Sequence, residues 1–274
     1  MTTYPTPEPI AIDVRIPAGT IEIDTVEGAE TTVDVRRLRG PRAGETPQEV
    51  REIFRPSSGG RATLYVAVEQ GRRRWSGRES YEVRITTPHG PSVATATGSA
   101  KVTGRGRFHS LDVKTASGNV VFGDVEADAR VQSASGDVEL GDVGGSASIA
   151  TVSGQARASH VGAKLSASMV SGSISVERAD GDVSAKSVSG SASVGAVDRG
   201  RVDLSTVSGN LDVGVVADRG VWMDLVSASG DTSCELDGFG EGQHRARAAD
   251  VEIHARSVSG DIRVHRAIAS AGAA

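Results

Sequence analysis

From Ser117 onward, apolar residues recur at fixed distances from a Ser-Gly pair. In Ser171–Val188 the two halves read SGSISVERA and DGDVSAKSV, each with glycine second and apolar residues fourth, sixth and ninth. The same phase runs through Ser153–Val170, Ser135–Val152 and Ser117–Ala134, the last without glycine in its second half. Positions four and six are separated by one polar residue, the period-2 alternation of a strand with one buried face. Position nine follows a two-residue break where the chain turns, and a corner residue can also aim inward. Each nonapeptide therefore predicts one strand and one corner. Two nonapeptides close a coil, and successive coils pair in parallel about 4.8 Å apart.

Nine small-residue–Gly pairs punctuate the chain, from Thr97-Gly98 to Ser259-Gly260, at a strict 18-residue spacing between Gly118 and Gly190. A fixed short period marks a solenoid, whose units bury their apolar faces only against their neighbours. Helices fit poorly, because Gly costs about 1 kcal/mol relative to Ala in a helix interior. The fold class read from the chain is all-β: a parallel β-solenoid (β-helix) with about 18 residues per coil and a β-rich N-terminal capping region. The predicted interior includes Val120, Phe122, Val138, Leu140, Ile174, Val176, Val183, Val202, Leu204, Ile253 and Val264, with Ala147, Ala156 and Ala167 at smaller sites. Position nine adds Val152, Val170, Val188, Val207 and Val258, and the later coils add Val216 and Leu225.

The N-terminal part is less regular. Residues 1–9 are Pro-rich and read as a loose segment. Strand patterns follow at Ile10–Ile16, Thr20–Thr25, Thr31–Arg36, Leu64–Val68 and Tyr81–Thr86. Thr46-Pro47-Gln48-Glu49 reads as a capping box with Pro at the first helical position, which predicts one short helix over Pro47–Phe54. Arg72–Trp75 (RRRW) reads as a hairpin loop. Residues 10–96 thus form the cap region, 97–267 the solenoid repeats and 268–274 a flexible tail. A cap matters because an open coil exposes unpaired N–H and C=O groups. At the other end the last nonapeptide is Ser259–Ala267. Only the polar insertion Gly238–Asp250 is placed to fold over it, so self-association through that end is a secondary expectation.

Composition narrows the function classes. Aromatics are only 3%, as suits a thin repetitive core. Residues 101–274 carry 22 acids and 17 bases, and the chain's formal net charge is −5. An acidic repeat region argues against nucleic acid as a partner. The lone Cys234 falls at an inward position six and reads as a buried small hydrophobe, and no disulfide framework exists. MTTYPTPEPIAIDV lacks the basic and apolar regions of a secretory signal, and no apolar run is long enough to span a membrane. The expectation is a cytoplasmic protein without membrane insertion.

The opening IPAGTIEI (Ile16–Ile23), the VRIT strand (Val83–Thr86) and TASGNVVFGDV (Thr115–Val125) with its later copies resemble a bacterial adhesin-like family of β-strand-repeat proteins of unknown molecular function. The resemblance covers roughly residues 10–267. It implies a fold family and carries no catalytic residues, and the family name implies a surface location.

No constellation points to catalysis or to a cofactor. Calcium-binding nonapeptide rolls need an Asp in every turn, whereas Asp124, Asp137 and Asp142 alternate with Ser146, Gln155 and Ser173. The Ser column from Ser117 to Ser189 and the Ser/Thr column Thr115, Ser133, Thr151, Ser187, Thr206 read as turn-satisfying hydroxyls. A flat hydroxyl ladder could bind sugar, but Met169 interrupts it. His254 and His265 are the one pair that adjacent coils could bring together, without a clear third metal ligand. Coils are minimal until Asp198. Beyond it, Asp198-Arg199-Gly200 and Asp218-Arg219-Gly220 predict equivalent turns on adjacent coils, joined by ion pairs. With Trp222 and Glu241 they form the candidate partner-binding edge: Asp198, Arg199, Asp218, Arg219, Trp222 and Glu241. The sequence therefore reads as a non-catalytic interaction or scaffold protein, with no cofactor and an unidentified protein partner. The alternative is a surface adhesin or carbohydrate-binding protein.

Overall fold

The computed structural model describes residues 1–40, 49–56, 61–68, 79–236 and 249–267, and every regular element among them is a β-strand. They form two compact units, Met1–Asp142 and Val143–Ala274. Among the described residues no helix is long and apolar enough to cross a membrane.

The first unit holds β1 (Thr2–Pro5), β2 (Ala11–Val26), β3 (Glu30–Arg39), β4 (Val50–Arg55), β5 (Thr63–Val68), β6 (Ser80–Pro88), β7 (Ser92–Phe108), β8 (Ser110–Ser117), β9 (Val120–Val125), β10 (Ala129–Ser135) and all but the last residue of β11 (Val138–Val143). β2 is a whole coil. Ile12, Val14 and Ile16 alternate inward, the chain turns at Pro17–Gly19, and Ile21 and Ile23 resume the alternation, all five at most 1% exposed. Gly19 has φ +123°, and a Cβ there would sit 1.8 Å from the Tyr81 carbonyl oxygen, so the corner requires glycine. β7 runs parallel to β2 from Ala11↔Ser92 to Asp24↔Arg105. On the other side of β2 lies a coil assembled from β5 and β6, also parallel. The chain thus lays one coil, adds its outer neighbour, and only then its inner one. β8, β9 and β10 continue the parallel pairing from β7. The outer coil is closed by antiparallel strands: β4 on β5, β3 on β6 and β1 on β3.

Three sequence expectations meet this unit. Val50–Arg55 is strand β4, not the end of a helix over Pro47–Phe54; residues 47 and 48 lie outside the described residues. An eight-residue helix is marginal alone, whereas antiparallel pairing with β5 satisfies the backbone of the β-branched and aromatic Val50, Ile53 and Phe54. The Tyr4 ring stacks on Phe54 at 4.6 Å and its hydroxyl donates to Glu52 at 2.8 Å. Thr2–Pro5, read as loose, is therefore a paired strand. Parallel coils start at Ala11, well before residue 97. The Arg72–Trp75 block lies outside the described residues.

The second unit holds β12 (Ala147–Ser153), β13 (Ala156–Val161), β14 (Lys164–Ser171), β15 (Ile174–Ala179), β16 (Asp182–Ser189), β17 (Ala192–Val197), β18 (Gly200–Ser208), β19 (Leu211–Val215), β20 (Val221–Ser229), β21 (Thr232–Glu235), β22 (Val251–Ser259) and β23 (Ile262–Arg266). Two parallel sheets result, in the orders β12-β14-β16-β18-β22-β20 and β13-β15-β17-β19-β23-β21. The coil β22–β23, last in sequence, is inserted between β18–β19 and β20–β21. Val202 and Met223 are both in register with Ile253.

Interior packing shows that the two nonapeptides are not equivalent. In the first, a two-residue break brings residue nine inside: Val161, Ala179 and Val197 are buried. In the second, the alternation runs on uninterrupted, so residue eight is buried (Thr151, Met169, Ser187, Thr206, Ser257) and residue nine turns outward. Val152, Val170, Val188, Val207 and Val258 are accordingly between 47% and 55% exposed, a correction to the predicted core. Several of these buried hydroxyls bond a Ser-Gly turn, either their own or that of the neighbouring coil, whereas Ser187 Oγ has no hydrogen-bond partner among the described residues. Thr151 Oγ1 donates to the Ser153 carbonyl at 3.1 Å and Thr206 Oγ1 to that of Gly190 at 3.1 Å. The Ser/Thr column is thus inside and forms no exterior ladder. β19 is one residue shorter than its predecessor across the break, so Val215 is buried and Val216 half-buried. Leu225 is half-buried and Cys234 exposed, because among the described residues their coil has a neighbour on one side only; Cys234 is not the buried hydrophobe its position suggested.

Candidate functional site

The outward face of β16, β18, β22 and β20 carries the site. Parallel register aligns its side chains in columns. One column reads Ser184, Asp203, His254, Asp224, and the next Lys186, Ser205, Arg256, Val226. The preceding strands β12 and β14 put only small residues at these positions: Ser148 and Ser166 in the first column, Ala150 and Ser168 in the second. Long side chains standing around Ser184 and Ser205 leave a concavity of about 370 Å³, lined also by Arg201, Asp203, Leu204, His254, Lys186 and Arg256.

The charges around this hollow are unevenly committed. Arg201 Nε meets Asp203 at 2.9 Å and Nη1 meets Glu252 at 3.7 Å. That pairing, led by the hydrogen bond to Asp203, raises the Arg201 pKa further above its usual value. Arg256 reaches Asp224 at 3.4 Å. Lys186 has no ion pair among the described residues. Lys186 and Arg256 therefore flank Ser205 in one column, about one coil spacing away on either side. His254 bonds Glu252 at 2.8 Å and lies 3.7 Å from Asp224. The Trp222 ring, 49% exposed, tilts against His254 at 5.0 Å between centroids.

The two Asp-Arg-Gly turns sit at the entry to these strands. They are not on adjacent coils, because β22 intervenes. The Gly200 N–H donates to the Asp250 carbonyl at 2.9 Å, and the Gly220 N–H donates to the Asp250 carboxylate at 2.9 Å. Arg219 nevertheless reaches Asp198 at 2.7 Å, while Arg199, mostly exposed, stays 3.7 Å from the same carboxylate. Asp218 takes a positive φ of 63°, tolerated by an Asp at a turn. Glu241 lies outside the described residues. Asp198, Arg199, Asp218 and Arg219 thus cluster at the turns, and Trp222 belongs with the sheet face and His254. Sequence reading missed the face itself: Lys186, Arg201, Asp203, Glu252, His254 and Arg256 come together only because β22 inserts beside β18. No group of three or more His, Cys, Asp or Glu suited to a metal occurs among the described residues. His265 turns instead to Asp212, at 3.3 Å.

No curated protein matches the chain. Two solved structures align over nearly its whole length. One is an adhesin-like protein from Bacteroides fragilis NCTC 9343, with 14% identity and a TM-score of 0.38 over 96% of this chain and 95% of that one. The other is a cell-adhesion-like protein from Clostridium sporogenes ATCC 15579, with 10% identity and a TM-score of 0.30 over 97% and 98%. The family described as Toastrack DUF4097 matches residues 11–265, nearly all of the repeating coils described above. The chain belongs to the Toastrack DUF4097 family.

Proposed function

We propose that this protein is a non-catalytic binding module that engages an acidic segment of a protein partner on the outer face of β16, β18, β22 and β20. One observation carries the reading: Lys186 and Arg256 flank the small Ser205 over a concavity, with Lys186 lacking an ion pair among the described residues. A carboxylate seated there gains charge-assisted hydrogen bonds from both cations. Trp222 beside His254 offers the half-exposed ring that anchors many interfaces. The rigid parallel ladder holds these groups without reorganisation on binding.

A fluorescent oligo-glutamate peptide tests it. Binding is expected to weaken with salt and to fall about tenfold, ~1.4 kcal/mol, in Lys186→Ala and Arg256→Ala. Val170→Ser, on the same sheet but away from the concavity, should leave binding unchanged. Equal affinity of all variants, or binding of neutral oligosaccharides in place of the peptide, would overturn the reading.

A further inference from the structure

Among the described residues, the coil β20–β21 has a neighbour on one side only. β22 pairs with β20 and β23 with β21, and no other described strand pairs with either. The far edge of β20 therefore presents unpaired N–H and C=O groups among the described residues. Its inward side chains are open as well. Met223 stands opposite the buried Ile253, Leu225 opposite Ala255 and Cys234 opposite Val264, yet Met223 and Leu225 are half-buried and Cys234 is exposed. An uncovered edge of this kind is a template for another strand. The first unit shows which strand direction closes such a coil in this protein: its outer coil, β5 and β6, is covered by antiparallel β4 and β3.

We propose that β20 is closed in the same way by β20 of a second copy, in a two-fold symmetric, end-to-end dimer. A two-fold axis perpendicular to the sheet makes the paired strands antiparallel, as a self-complementary contact demands. With the axis at Leu225, each Trp222 faces the small Ala228 of the copy and each Asp224 faces Val226. No carboxylate opposes another, and Asp224 is already engaged by Arg256 at 3.4 Å. On the inner side Leu225 meets its copy and Met223 faces Ser227, which brings the half-open interior under cover.

Sedimentation over a concentration series tests the proposal on the full chain. The expected result is a dimer that dissociates on dilution, with alkylation of Cys234 slowing as the dimer forms. Leu225→Lys places two ammonium groups at the axis and should weaken association at least tenfold. Val170→Lys, on an outward column, should not. Circular dichroism checks that both variants fold. If Leu225→Lys fails to fold, hydrogen exchange of β20 amides in the unmodified protein decides: protection that grows with concentration supports the dimer. A monomer at every concentration overturns it. So does a dimer indifferent to Leu225→Lys, or a monomer with β20 amides already protected, whose own chain covers the edge.

Discussion

The Arg219 guanidinium grips one oxygen of Asp198, with Nη2 at 2.7 Å and Nε at 3.1 Å, across a coil that comes later in the chain than either residue. The pair spans the point where β22 inserts. Position suggests a clamp, but the Arg219 side chain is 42% exposed and so open to solvent screening, although Asp198 is largely covered. Exposed ion pairs contribute little on average. The Asp250 carboxylate, bonded to the Gly220 N–H at 2.9 Å, is the better candidate for fixing the insertion. Arg219→Ala is expected to leave the urea midpoint unchanged within error, and Asp250→Ala to cost about 1 kcal/mol. The reverse ranking would show that the salt bridge, not the backbone bond, fixes the turn.

The two valines that end successive nonapeptides should behave differently. Val188 is 51% exposed and Val197 is fully buried, although the repeat gives them the same position. Val→Thr keeps the shape and adds a hydroxyl. At Val197, buried in register between Ala179 and Val215, that hydroxyl enters an apolar column and is expected to cost about 1–3 kcal/mol. At Val188 the change should fall within about 0.5 kcal/mol. Denaturant unfolding of the two variants gives both numbers, and equal losses would restore the symmetric reading of the repeat.

That contrast shows what was legible in the sequence. Alternation at positions four and six placed Val138, Leu140, Ile174, Val176, Val183 and Val202 inside correctly, because strand geometry has a period of two wherever one face is buried. Position nine depended on whether the inward–outward alternation is interrupted before it, and the spacing alone does not encode that. Thr151 and Thr206 carried a usable signal, since a recurrent hydroxyl beside a Gly turn can bond the turn from within. The insertion of β22 beside β18 was hidden for another reason. Each coil matches every other, so neighbours in space need not be neighbours in sequence. The cluster of Lys186, Arg201, His254 and Arg256 was hidden with it. The helix over Pro47–Phe54 failed because a local cap signal was weighed without the strand, β5, that competes for the same backbone.

Acid stability should depend on Asp180. Burial pushes its carboxyl pKa up, but hydrogen bonds from His160 and Arg178, together with their charge, outweigh that and hold it below the ordinary 3.8. The bonds are 2.9 Å from His160 and 2.8 Å from Arg178. A depressed folded pKa means that the unfolded chain takes up the proton first. The stabilisation is complete above the ordinary carboxylate value and is lost as pH falls below it toward the folded value. Asp180→Asn is therefore expected to lower the melting temperature at neutral pH and to lose that effect in strong acid. A difference that persists undiminished at the lowest pH where the protein folds would assign the effect to packing.

Tyr81 sets the opposite limit. Its side chain is fully buried beneath the coil of β2, and its hydroxyl donates to Glu79. Burial first, then the bond and charge of Glu79, raise the phenol to about 12 against the pull of Arg37. The ring also lies 5.7 Å from the Arg37 guanidinium carbon. Here the raised group is neutral when protonated, so the unfolded chain releases its proton near the usual 10 while the folded chain holds it. The contribution is intact below 10 and lost as pH rises to about 12, on the order of 3 kcal/mol. Phenolate absorbance should therefore show one late ionisation near 12 that disappears in Tyr81→Phe. Glu79→Gln should bring it earlier by removing the carboxylate charge while keeping an acceptor. Ionisation of Tyr81 near 10 in the folded protein would place its hydroxyl in contact with water.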